Sequence, residues 1–163
     1  MHSEKILVSD LMNTKVQTDF EDQNIMSACN IMYANNIGSV IIVTYDRNRG
    51  PLGIITERDV VRILGKLDPN LLQTPLRALM SRPLITIEQS ASINDATKIM
   101  NNKKIRRLVV IDQNNKMIGI LTQRDIFKAI DKDPELFSEF YGNAFSSKFK
   151  SIYERYNKYS LEH

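Results

Sequence analysis

The residues best equipped for chemistry lie in one string that occurs twice. It reads Gly53-Ile54-Ile55-Thr56-Glu57-Arg58-Asp59 and again Gly119-Ile120-Leu121-Thr122-Gln123-Arg124-Asp125. In both copies the threonine and aspartate are three apart and directly follow an apolar run. That is the spacing of a helix cap, in which the threonine oxygen accepts from an early helical N–H. An acidic group in the first turn also suits the helix dipole. Capping accounts for Thr56, Asp59, Thr122 and Asp125, but not for Arg58 and Arg124. A cation in the first turn opposes the dipole by roughly 0.3–1 kcal/mol, so its recurrence points to a compensating carboxylate or a bound phosphate. Free N–H groups at a helix start favour phosphate. The carboxylates of Asp59 and Asp125 can accept both hydrogens of a ribose diol. Capping and ligand binding are compatible.

The elements that position these strings are themselves duplicated. Shifted by 68 positions, Ile25, Ala28, Ile31, Met32 and Ile37 fall on Ile93, Ala96, Ile99, Met100 and Ile105, and Val40–Val43 falls on Leu108–Ile111. Beyond the next turn the shift becomes 66, and the two strings coincide. The length change is confined to a polar turn, 46–51 against 112–116, where a hairpin tolerates it. The helical spacing of Ile25, Ala28, Ile31 and Met32 predicts a helix near 23–35. The β-branched run Val40–Val43 suits a strand buried on both faces. A hairpin return follows over Leu52–Thr56, then a helix from about Glu57 with Val60, Ile63 and Leu64 inward. The second unit repeats this with a helix near 91–102, strands near 107–112 and 117–122, and a helix from about Gln123. The expected fold class is α+β. It consists of unit one over 8–66, a linker over 67–75 and unit two over 76–131. A unit of about 60 residues buries only a marginal core, so the two are expected to pack about a pseudo-twofold axis.

Composition narrows the function classes. The 163 residues carry 42% hydrophobic and 25% charged residues with a net charge of +3. That is ordinary globular composition, too weakly basic to mark a nucleic-acid binder by itself. No apolar run approaches the roughly 18 residues that span a bilayer, and the N-terminus lacks a signal-peptide pattern. The single cysteine, Cys29, allows no intramolecular disulfide. A reducing, cytoplasmic setting is expected, with no membrane association. Both histidines, His2 and His163, are terminal, and Leu161-Glu162-His163 (161–163) resembles a tag remnant. With no histidine in the body, no Gly-rich phosphate loop and no clustered metal ligands, neither catalytic residues nor a metal site are expected. Cys29 reads as a small core residue.

Two units ending in G-h-h-T-x-x-D, each preceded by an apolar strand, resemble a tandem pair of CBS domains, a Bateman module. The resemblance covers about residues 8–131. It implies two βαββα units forming one disc with two clefts, which regulate a partner by binding AMP, ADP, ATP or S-adenosylmethionine and catalyse nothing. In the family pattern each cleft takes its Thr and Asp from one unit and an early segment plus a strand start from the other. Carried over, one nucleotide-binding cleft would join Thr122, Arg124 and Asp125 with Lys15, Val16, Ile37, Gly38 and Ser39. The other would join Thr56, Arg58 and Asp59 with Pro83, Leu84, Ile105, Arg106 and Arg107. Ile105-Arg106-Arg107-Leu108 resembles the basic strand start that meets phosphate in family members, whereas Gly38-Ser39 lacks that charge. The clefts are therefore expected to be unequal, with the Asp59 cleft taking the more phosphorylated or tighter-bound ligand. Arg106 and Arg107 as a plain solvated pair is the competing reading.

Beyond Asp133-Pro134 the sequence becomes aromatic, with Phe137, Phe140, Tyr141, Phe145, Phe149, Tyr153, Tyr156 and Tyr159. Spacings of three and four predict a helical tail over 134–160 that packs on its own module or forms a homodimer contact. Lys148, Lys150, Arg155 and Lys158 interleave with the tyrosines and would suit single-stranded nucleic acid. Glu154 dilutes that patch, and this reading ranks below packing. No effector domain accompanies the repeats, so the regulated target is expected to be a separate protein. A ligand-independent adaptor is the alternative use of the same fold.

Overall fold

The computed structural model describes residues 5–45, 50–136 and 154–155; the predicted tail over 134–160 lies almost wholly outside them. The first repeat contains α1 (Val8–Leu11), β1 (Thr18–Phe20), α2 (Ile25–Asn35), β2 (Ser39–Val43), β3 (Pro51–Thr56) and α3 (Glu57–Leu64). A 3-10 turn spans Pro69–Leu72. The second repeat follows as α4 (Leu76–Leu79), β4 (Thr86–Glu88), α5 (Ile93–Lys103), β5 (Arg107–Ile111), β6 (Met117–Thr122) and α6 (Gln123–Lys132). Each repeat builds a three-stranded sheet, ordered β1-β2-β3 and β4-β5-β6. The expected α+β architecture of two like units is thus present.

Local sequence accounts for these boundaries. The Asn24 side chain accepts from Met26 N and Ser27 N at 3.0 and 3.2 Å, starting α2, and Ser92 Oγ accepts from Asp95 N at 3.1 Å, starting α5. The two helices end alike, with Asn36 and Lys104 in the left-handed region at φ 51° and 55°. β2 runs parallel to β1 and antiparallel to β3, with Ser39 opposite Thr56 and Val40 opposite Ile55. All five β2 residues are buried, because both faces of this strand are covered. Val40, Ile42 and Ile55 join Ile25, Ala28, Met32, Ile63, Leu76 and Met80 on one face. Ile41 and Val43 pack with Val109 on the other, flanked by Val16, Phe20, Ile54, Leu84, Met117 and Ile120.

The chain divides into two compact units that do not follow the repeats. One comprises 13–86 and 109–120; the other comprises the described parts of 1–12, 87–108 and 121–163. The reason lies in the short lead helices. Val8 N and Ser9 N of α1 donate to Ala91 and Gln89 carbonyls at 2.9 and 3.0 Å, and Ile93 N donates to Ile6 O at 3.1 Å. Symmetrically, Leu76 N and Arg77 N of α4 donate to Gln23 and Glu21 carbonyls at 2.7 and 2.9 Å. Each lead helix therefore docks on the other repeat's first turn, and neither repeat closes by itself.

Candidate functional site

Both Thr–Asp strings form the expected capping box. In the first, Asp59 N donates to Thr56 Oγ1 at 3.3 Å, while Thr56 N and Oγ1 donate to Asp59 Oδ2 at 2.9 and 2.7 Å. In the second, the corresponding distances at Thr122 and Asp125 are 3.3, 2.9 and 2.6 Å. Each aspartate is thus locked at the start of a helix that springs directly from the end of a strand. The glycine that opens the first string has a steric reason. A Cβ on Gly53 would lie 2.5 Å from Met80 Sδ and 3.0 Å from Ser81 O, because Ser81 crosses β3 in a two-way bridge with Ile54.

The two aspartates differ beyond the box. Asp59 is 6% exposed, and its Oδ1 accepts from Ser81 Oγ at 3.0 Å and Arg62 Nη2 at 2.9 Å. Asp125 is half-buried, and no described residue donates to its Oδ1. The position equivalent to Ser81 is Asn13, which makes the matching bridge to Ile120 but whose side chain accepts from Lys15 N at 2.8 Å. The position equivalent to Arg62 is Lys128, which forms no ion pair among the described residues.

The remaining sequence-predicted residues occupy definite places. Arg58 and Arg124 are exposed and make no ion pair among the described residues, so no carboxylate there offsets the cost expected of them. Val16 and Leu84, assigned to different clefts, flank the same apolar cluster around Ile41, Val43 and Val109. Lys15 and Pro83 are exposed, and the Arg82–Pro83 peptide is cis. Gly38 O accepts from Glu57 N at 3.2 Å, and Arg106 O accepts from Gln123 N at 2.9 Å. Each strand start therefore touches its own repeat's Thr–Asp string, with Ser39 buried opposite Thr56. Ile37 is half-buried against the α2 side of the core. Ile105 is half-buried, Arg106 exposed and Arg107 half-buried at the head of β5. The early segments, by contrast, reach the other repeat: Asn13 bridges Ile120 and Ser81 bridges Ile54. Ser81, Arg62 and Asn13 are site neighbours that motif reading missed, although the 68- and 66-residue shifts align Ser81 with Asn13 and Arg62 with Lys128.

Elsewhere the chemistry is sparse. Cys29 packs partly against the α2 core, and burial raises its thiol pKa. Among the described residues no group of three or more His, Cys, Asp or Glu could hold a metal. Among them, too, no helix is long and apolar enough to cross a membrane.

A strand–helix–hairpin–helix unit occurs twice, each copy ending in a Thr–Asp box, and defines a tandem-repeat module. Residues 8–66 and 76–132 each match the CBS domain, and the chain belongs to the CBS-domain family. An uncharacterized protein of Methanopyrus kandleri is 43% identical over 97 residues, covering 60% of this chain and 48% of the relative. The chain thus spans about half the length of that relative. A CBS domain protein from Pyrobaculum aerophilum, solved with AMP, superposes with a TM-score of 0.72 at 22% identity, covering 83% of this chain and 98% of that one. The CBS domain pair of the protein MJ0100, solved with 5'-methylthioadenosine and S-adenosyl-L-methionine, gives 0.70 at 25% identity, covering 78% and 98%.

Proposed function

We propose that this chain is a non-catalytic sensor that binds adenosine compounds and whose occupancy modulates a separate partner protein. The observation that carries the proposal is the pair of matching boxes, each presenting an aspartate carboxylate at a helix start. A carboxylate accepts both hydroxyls of a ribose diol, and adjacent free N–H groups attract phosphate. The ligands named for the two solved relatives, AMP in one and 5'-methylthioadenosine with S-adenosyl-L-methionine in the other, share that ribose. Ribose recognition is therefore assigned to Asp59 and Asp125. Following the family pattern, Thr56, Arg58 and Asp59 work with Pro83-Leu84, and Thr122, Arg124 and Asp125 play the equivalent part in the second repeat. The module is proposed to act as a homodimer, which sedimentation velocity reads directly.

Thermal unfolding in the presence of AMP, ADP, ATP and S-adenosylmethionine tests the function. A ligand at a hundredfold excess over its Kd adds about 2.7 kcal/mol of stability. For a chain of this size that raises Tm by roughly 5–10 °C. The shift should vanish in Asp59→Ala/Asp125→Ala. No shift with any adenosine compound would favour the ligand-independent adaptor.

A further inference from the structure

We propose that the Asp59 ribose anchor is masked by the protein's own side chains, so that the two adenosine sites fill in order, Asp125 first. This rests on the functional reading above. An ionised carboxylate offers about four lone-pair sites. At Asp59 all four are taken: Oδ2 by Thr56 N and Thr56 Oγ1, Oδ1 by Arg62 Nη2 and Ser81 Oγ. At Asp125 the described residues take only Oδ2, through Thr122 N and Thr122 Oγ1. The Ser81 hydroxyl and the Arg62 guanidinium stand on Asp59 where two ribose hydroxyls would donate, so an incoming ribose must displace them. At Asp125 no described residue occupies the same acceptor atom.

The difference is written in the repeats. Asn13 replaces Ser81 and turns to Lys15 N, and Lys128 replaces Arg62. The mask can lift, because the Arg62 side chain is 59% exposed and can swing into solvent while an incoming ribose hydroxyl takes its place on the carboxylate. The first repeat thus becomes a second-stage site, answering only to ligand concentrations above those that fill the Asp125 site.

Calorimetric titration with AMP tests this on the full chain, with Asp59→Ala and Asp125→Ala assigning each binding step. The tight step should disappear in Asp125→Ala and the weak step in Asp59→Ala. Arg62→Gln/Ser81→Ala should tighten the weak step by about tenfold and leave the tight step in place. Arg62→Gln alone, a change at an exposed side chain, should give a smaller shift in the same direction. Conversely, Asn13→Ser/Lys128→Arg should build a mask on Asp125 and loosen the tight step. If the tight step belongs to Asp59, or if unmasking leaves the weak step unchanged, the mask is refuted while the sensor function stands. If the wild type binds no adenosine compound at all, the function itself falls, and the mask with it.

Discussion

Gly53 is the position where a single methyl group should reveal how tightly the Met80-Ser81 segment is held against the first repeat. In Gly53→Ala the new Cβ would meet Met80 Sδ at 2.5 Å, Met80 Cγ at 2.7 Å and Ser81 O at 3.0 Å. The Met80 atoms belong to a flexible side chain and can swing away. The Ser81 carbonyl cannot move freely, because Ile54 N donates to it at 3.1 Å and Ser81 N donates back to Ile54 O at 2.9 Å. The methyl must therefore either push the two backbones apart or force Met80 out of a site where it is 8% exposed. Overpacking of this kind costs typically 1–3 kcal/mol; about 2 kcal/mol is expected here. That corresponds to a Tm loss of roughly 4–8 °C, read by circular dichroism during thermal and urea unfolding. In a double-mutant cycle with Met80→Ala the two costs should be less than additive, since truncating Met80 removes the two closest contacts. A Gly53→Ala protein within about 0.5 kcal/mol of wild type, the range of a neutral surface change, would refute the close approach.

Three further outcomes follow from the same geometry. Thr56→Ala should cost about 2–3 kcal/mol, losing a cap and leaving a buried carboxylate one donor short, whereas Thr122→Ala should cost about 1 kcal/mol because water reaches Asp125; urea midpoints decide the order. Lys104→Gly should stabilise by up to about 1 kcal/mol, since the α5 cap holds a side-chain-bearing residue at φ 55°, where glycine carries no strain. The Ser92 hydroxyl, which donates to the Asp95 carboxyl, holds it below its ordinary value; burial partly offsets this, and the Lys5 and Lys98 charges add smaller lowering effects. A depressed folded-state pKa contributes stability that is present above the unfolded value and lost as pH falls through the folded one. Ser92→Ala should therefore narrow the stability gap to wild type as acid titration proceeds below the ordinary carboxylate range, while an undiminished gap at the acid end would contradict it.

Periodicity and repetition carried much of this fold. The 3.6-residue spacing of Ile25, Ala28 and Met32, and the apolar run Val40–Val43, made α2 and β2 legible, and the 68-residue shift carried both to α5 and β5. The three-residue strands β1 and β4 were not placed, because each contributes a single large apolar residue, Phe20 or Ile87, and draws its stability from pairing with distant chain. The lead helices α1 and α4 escaped for the same reason: one turn long, they are held by carbonyls some 53 to 83 residues away in sequence. The Thr–Asp boxes were legible because capping is local chemistry. What occupies Asp59 Oδ1 was not, since Ser81 lies 22 residues from Asp59 and reaches it only after the bridge to Ile54 forms. The aromatic residues beyond Leu136 lie outside the described residues, so the tail's packing, dimer and nucleic-acid readings stand as expectations.

The central claim, that two helix-start carboxylates hold the ribose of an adenosine ligand, is tested most directly by the binding stoichiometry of AMP measured calorimetrically on wild type and on Asp59→Ala/Asp125→Ala. The account expects saturable binding to the wild type, reduced by one site in either single variant and abolished in the double variant, with the fold intact by circular dichroism. Undiminished AMP binding by the folded double variant would contradict it.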